Sequence, residues 1–331
     1  MEKTVRWALV GLGKISRRML KAIRSVPNSE VVACASSSKE RALEYAKEYK
    51  IQYAFTYQEL ADNAGLVDAV YIATHMNAHA KPAMMYLKKK VPVLCEKTFA
   101  VSEKEAESMI QCAVENDTLI MEAMWTRFLP ATLKLQEILK SGKMGKVLST
   151  RAKFEVGIGH GPKSRVFNKA VGGGSILDVG IYPTTYTHML LGMPDKIEAA
   201  GRLKKEVDVS CDTIFRYPGG VVAKFRVSTE FMTLKEHYVI ECENGAIRVP
   251  SFFDARKIIL RYKDGKKEVI MEKDGVSFGR RGKPDGFIPE IVHFNDLVRR
   301  GMKESPVMTH EVTMQVMHLI DTQLKQVGVE Y

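Results

Sequence analysis

The sequence predicts an α/β fold: a doubly wound parallel sheet, then an α+β domain with a large, open, mainly antiparallel sheet. Three observations predict it. Strands and helices alternate through about residue 121, and apolar runs such as 68–73 are continuous, as in strands covered on both faces. After about Trp125 strands follow one another across short turns, including Pro218-Gly219-Gly220 and Asp264-Gly265. A chain of 331 residues is long for a single core, so two domains are expected, at 1–124 and 125–331.

The elements read in order as follows. Residues 5–10 form a strand, 11–16 a glycine turn, and a helix runs to about Ser25. A second strand, 31–35, runs into Ser36-Ser37-Ser38-Lys39. Residues 39–50 are helical, with Ala42, Leu43, Ala46 and Tyr49 on one side. A short strand at 52–55 and a helical turn from Tyr57 precede the buried strand at 68–73. A helix then runs to about Lys90, a strand covers 91–95, and Ser102 with Glu105 forms a capping box for the helix 103–116. A strand at 118–121 ends this half. Beyond a helix at 131–140, strands are expected at 147–156, 196–203, 209–217, 221–231, 236–242 and 257–263. Helices are expected at 175–191, 287–300 and 310–325, and the Gly-, Lys- and Arg-rich segment 272–286 is the best candidate for a mobile loop.

Composition excludes several classes. No run approaches the roughly 18 apolar residues of a membrane span. The N-terminus runs directly into a strand, so no signal peptide is expected. The five cysteines (34, 95, 112, 211, 242) form no C-x-x-C and no zinc spacing, which fits a cytoplasmic, reducing setting and no metal. The net charge of +11 is scattered at helix and strand ends rather than gathered in a basic arm. That pattern favours small anionic or polyol partners over nucleic acid.

The most informative motif is Gly11-Leu12-Gly13-Lys14-Ile15-Ser16, between a strand and a helix. Such a turn lets backbone N–H groups and a helix N-terminus meet a pyrophosphate. Ser16 replaces the usual third glycine and is small enough to serve. The second strand ends in Ser36, Ser37 and Ser38 where an acid would favour a free ribose hydroxyl; hydroxyls with Lys39 or Arg41 favour a 2′-phosphate instead. NADP is therefore the expected coenzyme, with NAD as the alternative. Ligands of doubly wound sheets bind beyond the carboxyl ends of the strands. That edge also carries Thr74, His75 and His79, and then Glu96 and Lys97.

Asp178 and Tyr182 are four apart on a helix beginning near Ser175, one turn apart on one face. Gly172-Gly173-Gly174 before them would permit close backbone approach to a nicotinamide ring or substrate. A core tyrosine and an ordinary first-turn aspartate are the bland alternative. Lys97, held by Glu96, would lower the phenol pKa of a neighbouring Tyr182 from about 10. His79 either touches the coenzyme or is a satisfied helix-start histidine. Trp125 and Arg127 sit at the domain junction, as cleft lining or as interdomain packing. His160 and Arg165 lie in a Gly-rich loop able to reach substrate.

Together these segments resemble the Gfo/Idh/MocA oxidoreductase family, in its trans-dihydrodiol and D-xylose dehydrogenase branch. The matching pieces are 11–16, 95–97, 122–128, 172–183 and 300–307, so the resemblance spans essentially the whole chain. It implies a Rossmann domain, an open sheet that commonly forms a dimer face, and the family's catalytic set on Lys97, Asp178 and Tyr182. Thr98 stands where the family usually has proline, and Ser37 where NADP-binding members often have arginine. The expected activity is hydride transfer between NAD(P) and a sugar, polyol or cyclic diol, its substrate lying over the nicotinamide between the domains, in a homodimer or higher homo-oligomer. The alternative is a non-catalytic NAD(P)-binding sensor on the same fold.

Overall fold

The computed structural model describes residues 2–157, 161, 164–231, 237–271 and 285–331. His160 and nearly all of the expected mobile loop lie outside the described residues.

The chain divides into two compact units, 1–125 with 287–314, and 126–286 with 315–331. The first holds β1 (Val5–Val10), α1 (Lys14–Arg24), β2 (Ser29–Ser36), α2 (Lys39–Tyr49), β3 (Tyr53–Thr56), α3 (Tyr57–Asp62), β4 (Ala69–Ile72), α4 (Ala80–Leu87), β5 (Val93–Glu96), α5 (Glu103–Glu115) and β6 (Ile120–Ala123). Its six strands are all parallel, in the order β3-β2-β1-β4-β5-β6. The order reverses between β1 and β4, which creates the crevice where such sheets hold ligands. Burial follows the apolar runs: Trp7, Tyr71 and Tyr86 are fully enclosed.

Local chemistry sets the helix starts. Ser38 caps α2 by accepting from the Arg41 N–H, and Thr56 and Glu59 exchange both bonds of a capping box on α3. At α5, Ser102 accepts from the Glu105 N–H, while the Glu105 carboxylate reaches back one residue further, to the Val101 N–H. On α2 the buried face is Ala42, Tyr45 and Ala46, and Leu43 is exposed. The helix phase turns Tyr45 inward, where the expected face had Leu43 and Tyr49.

The second unit holds α6 (Pro130–Lys140), β7 (Val147–Glu155), α7 (Ile181–Leu191), β8 (Lys196–Lys204), β9 (Val207–Arg216), β10 (Val222–Ser228), β11 (His237–Cys242), β12 (Gly245–Pro250), β13 (Lys257–Tyr262) and β14 (Lys267–Met271). Among the described residues, eight strands run in the order β14-β13-β12-β11-β7-β10-β9-β8, and only β7 and β10 pair in parallel. The sequence reading lacked β12 and β14. Glycine, alanine and proline make β12 a poor strand by composition, although Asn244-Gly245 before it is a hairpin signal. β14 is a short edge strand with alternate residues exposed.

Two helices end the chain, α8 (Ile288–Arg299) and α9 (His310–Val327). α8 belongs to the first unit, a return that nothing in the sequence announces. Trp7 Nε1 donates to Asn295 at 3.0 Å, the Trp7 and Phe294 rings lie 5.2 Å apart, and Arg299 donates to the Lys3 and Asn28 carbonyls. A second domain of 125–331 therefore gives up residues 287–314 to the first.

Candidate functional site

The first group of candidate residues stands on the carboxyl edge of the parallel sheet. Gly11 leaves β1 with φ +87°, and a Cβ there would lie 2.7 Å from the Ala73 carbonyl and the Thr74 nitrogen. Only glycine satisfies both the left-handed backbone and the contact. Ser16, fully buried, donates its hydroxyl to the Gly11 carbonyl and accepts from the Gly13 N–H at 3.3 Å. The serine in the third glycine's place thus ties the turn to the first turn of α1. Nothing lies within 4 Å of a Cβ on exposed Gly13, and α1 has no acidic residue in its first turn. Lys14 is exposed and Ile15 half-buried beside it. An exposed glycine, a positive helix end and no acidic residue in the first turn of α1 fit the pyrophosphate of a dinucleotide.

At the end of β2, Ser36 is buried and accepts from the Ser38 N–H, while Ser37 is exposed. Lys39 turns away from this edge. Its ammonium donates to Glu59 at 2.6 Å and to the Ala54 carbonyl at 2.9 Å, and lies over the Phe55 ring. Of the two cations expected here, Arg41 is the exposed one without an ion pair among the described residues. Tyr57, a residue the sequence reading passed over, belongs to the same corner. Burial raises its phenol pKa, and the Arg41 charge and a hydrogen bond with the Ser37 backbone oppose that rise.

The edges of β4 and β5 are tied together. Thr74 donates to the Ala78 carbonyl, and His75 is exposed. His79 is buried, its Nδ1 near the Thr98 and Phe99 carbonyls and its Nε2 near that of Thr74. Burial pushes its pKa down to about 4. The satisfied helix-start histidine describes this side chain; its ring clamps two loops. Buried Glu96 accepts from the Tyr71 hydroxyl and, at 3.1 Å, from the Lys97 N–H. Tyr71 was invisible as a site residue because it sits inside an apolar strand. Lys97 is half-buried, and the Lys97–Thr98 peptide is cis. Trp125 is buried edge-on against Phe287, 5.6 Å between centroids, and the Arg18 guanidinium lies over that same ring.

The other candidate residues belong to the second unit. Arg127 is buried there, 3.5 Å from the Thr185 hydroxyl. The expected single helix at 175–191 is two pieces: a π-helical turn, Ile176–Gly180, then α7. Such wide turns recur at functional sites. Asp178 lies in the π turn, nearly buried, and accepts from Arg165 at 2.8 Å. Arg165 is thus held by Asp178. Tyr182 lies in the first turn of α7, half-buried, its ring edge-on to Phe154 at 5.5 Å and near Phe253 at 6.1 Å.

The triple glycine corrects an expectation. A Cβ on Gly173 would lie 2.7 Å from the Arg165 carbonyl, and one on Gly174, at φ +113°, 2.5 Å from Asp208 Oδ1 and 2.8 Å from the Tyr331 hydroxyl. The space these two glycines vacate is filled by the protein itself rather than left for a ring or a substrate. Asp208 and Tyr331 were missed because nothing near them in sequence marks them.

Among the described residues, no helix is long and apolar enough to cross a membrane. The Gfo/Idh/MocA model described as an oxidoreductase family with an NAD-binding Rossmann fold matches residues 5–124, and that family's C-terminal domain model matches 132–248. Trans-1,2-dihydrobenzene-1,2-diol dehydrogenase of Mus musculus is 30% identical over 341 residues, covering 99% of this chain and 98% of its own. The Homo sapiens enzyme of that name is 30% identical, with 99% and 98% covered. Two solved structures share the fold. KijD10, a 3-ketoreductase from Actinomadura kijaniata in complex with NADP and TDP-benzene, has a TM-score of 0.85 at 23% identity, with 98% of each chain covered. Levoglucosan dehydrogenase in complex with NADH and L-sorbose has 0.87 at 18%, covering 98% of this chain and 97% of its own. The resemblance drawn from the motifs, family and branch alike, is borne out: the chain belongs to the Gfo/Idh/MocA family of oxidoreductases.

Proposed function

We propose that this chain is an NADP-preferring dehydrogenase or reductase acting on a hydroxyl or carbonyl of a sugar, polyol or cyclic diol. One observation carries the reading. A dinucleotide-type glycine turn after β1 and Lys97 after β5 leave the same edge of one parallel sheet. The names of the full-length relatives support the diol or related carbohydrate substrate, and NADP or NADH in neighbours of the same fold supports the coenzyme.

When bound, the nicotinamide supplies or accepts the hydride. The chain's own groups do the rest. Gly11, Gly13, Lys14 and Ile15 seat the pyrophosphate, Ser37, Ser38 and Arg41 the 2′-phosphate, and Thr74 and His75 line the crevice. Lys97 polarises the reacting oxygen and lowers the phenol pKa; Tyr182 takes the hydroxyl proton, or returns it in the reverse direction; Asp178 orients substrate or lysine. His79, Glu96, Trp125 and Arg127 support these groups from buried positions. A cytoplasmic homodimer or higher homo-oligomer completes the proposal.

A panel of sugars, polyols and a trans-dihydrodiol, run with NADP and NAD and followed by absorbance of the reduced coenzyme, tests it. Turnover on at least one alcohol, faster with NADP, is expected. Coenzyme binding without turnover on any member would favour the sensor reading; no coenzyme binding would end both. Arg41→Ala should weaken NADP about tenfold while leaving NAD unchanged, the loss of one exposed charge-assisted contact.

A further inference from the structure

Resting on the reading that Asp178 and Tyr182 belong to the reactive half, we infer that Asp208 is the positioning residue that fixes both of them. The segment that carries them begins with a difficulty. A helical start leaves N–H groups that need acceptors, and the residues ahead of it are three glycines with no side chain to offer. Ser175, next in line, already has right-handed helical backbone angles and makes no cap bond.

The acceptor comes from another strand. Asp208, near the start of β9 and fully buried, takes the Ser175 hydroxyl at 2.5 Å and the Ile176 N–H at 2.7 Å on one oxygen, Oδ2. Two donors from consecutive residues meeting one atom leave little freedom for the first residues of the π turn. The carboxylate also faces the positive end of the helical segment, where negative charge is favoured.

The other oxygen does the spacing. Oδ1 is buried with no hydrogen-bond partner among the described residues, pressed toward Gly174. Tyr331 donates its hydroxyl to the Gly173 carbonyl, closing the same cradle from the other side. Gly173 in turn packs on the backbone of residues 165 and 168, the loop that delivers Arg165 to Asp178. Asp178 is thus fixed twice: through its own turn, seated on Asp208, and through Arg165, whose loop rests on the glycine beside that seat. Tyr182 follows one turn later. Asp208 touches none of the groups proposed to react, so its role is geometric. Burial pushes its carboxyl pKa up, and the donations from Ser175 and Ile176 oppose that rise, so the clamp and the charge depend on each other.

The test measures hydrogen exchange at the amides of residues 176–182, together with kcat, KM and coenzyme affinity, in Asp208→Asn and Ser175→Ala. Exchange in 176–182 should rise about tenfold or more as the turn loosens. Turnover should fall on the order of 100-fold, the scale of an ångström of misplacement, with coenzyme affinity unchanged. Unaltered exchange in that segment, or lost thermal stability with undiminished kcat per folded enzyme, would overturn the inference. If Asp208→Asn does not fold, Ser175→Ala carries the same test, because it removes one donor and leaves the carboxylate on the Ile176 N–H. Rising exchange in the variants of a protein whose wild type turns over no alcohol or carbonyl would remove the catalytic role of Asp178 and Tyr182 and leave the clamp standing.

Discussion

After β1, the turn expected to hold a coenzyme is made by residues no more than five positions apart, Gly11 to Ser16. Before α7, the turn that carries Asp178 is held by Asp208, 33 positions away from Ser175, and closed by Tyr331, 158 positions from Gly173. The first depends on backbone conformation, one hydroxyl and room beside Ala73 and Thr74 that glycine itself provides, so the local sequence dictates most of it. The second depends on a buried carboxylate that exists at that place only once the second sheet has formed. A motif can therefore be complete in sequence and still owe its geometry to residues outside it.

The largest expected effect lies on the first half. Lys97→Met should lower kcat about a thousandfold, roughly 4 kcal/mol of barrier, while coenzyme still binds. Steady-state rates beside a coenzyme titration measure it, and near-wild-type turnover would remove Lys97 from the chemistry.

His79 tests whether the tie between the β4 and β5 edges is as firm as the turn itself. Its pKa in the folded protein is lowered from the ordinary 6.5 to about 4. Between those values the unfolded chain binds a proton that the folded chain does not. The stability from the neutral ring is full above about pH 6.5 and is lost as pH falls toward 4, by roughly 3 kcal/mol in all. Unfolding free energies across that window should fall steeply in the wild type and more shallowly in His79→Asn. Equal slopes would show that the ring is not held neutral.

Gly11→Ala asks how completely local geometry fixes the turn. A Cβ 2.7 Å from backbone atoms, at positive φ, should cost about 2 kcal/mol and weaken coenzyme binding. Denaturant unfolding with and without coenzyme separates the two effects, and an unshifted midpoint would mean that the β4 loop yields freely. The smallest effect lies in the second unit. The β8–β9 turn places Lys205 at φ +51° and Glu206 at φ +63°, both left-handed. Glu206→Gly should stabilise by about 1 kcal/mol, because a two-residue hairpin of this kind favours glycine. A lowered unfolding midpoint would show that the side chain contributes more than its backbone costs.

Much of the molecule was legible in the sequence, for identifiable reasons. The parallel strands were readable because burial on both faces leaves continuous apolar runs, and the glycine turn because positive φ and close approach demand a particular residue type. The serines at the end of β2 were legible as a corner of hydroxyls without an acid, but Lys39 could not be seen leaving it, since its partner Glu59 arrives on a later helix. The π turn was hidden because its spacing of Asp178 and Tyr182 suits an ordinary helix equally well.

What the sequence by itself determined is the order of most elements, the family, and which residue types stand at the strand ends; these rest on periodicity and on the backbone limits of single residues. Tertiary structure alone decided that α8 returns to the first unit, that His79 is a clamp, and that two of the three glycines make room for Asp208, Tyr331 and the Arg165 loop. Each of those depends on a contact between distant positions, and such a contact leaves no local pattern because either partner alone is an unremarkable residue.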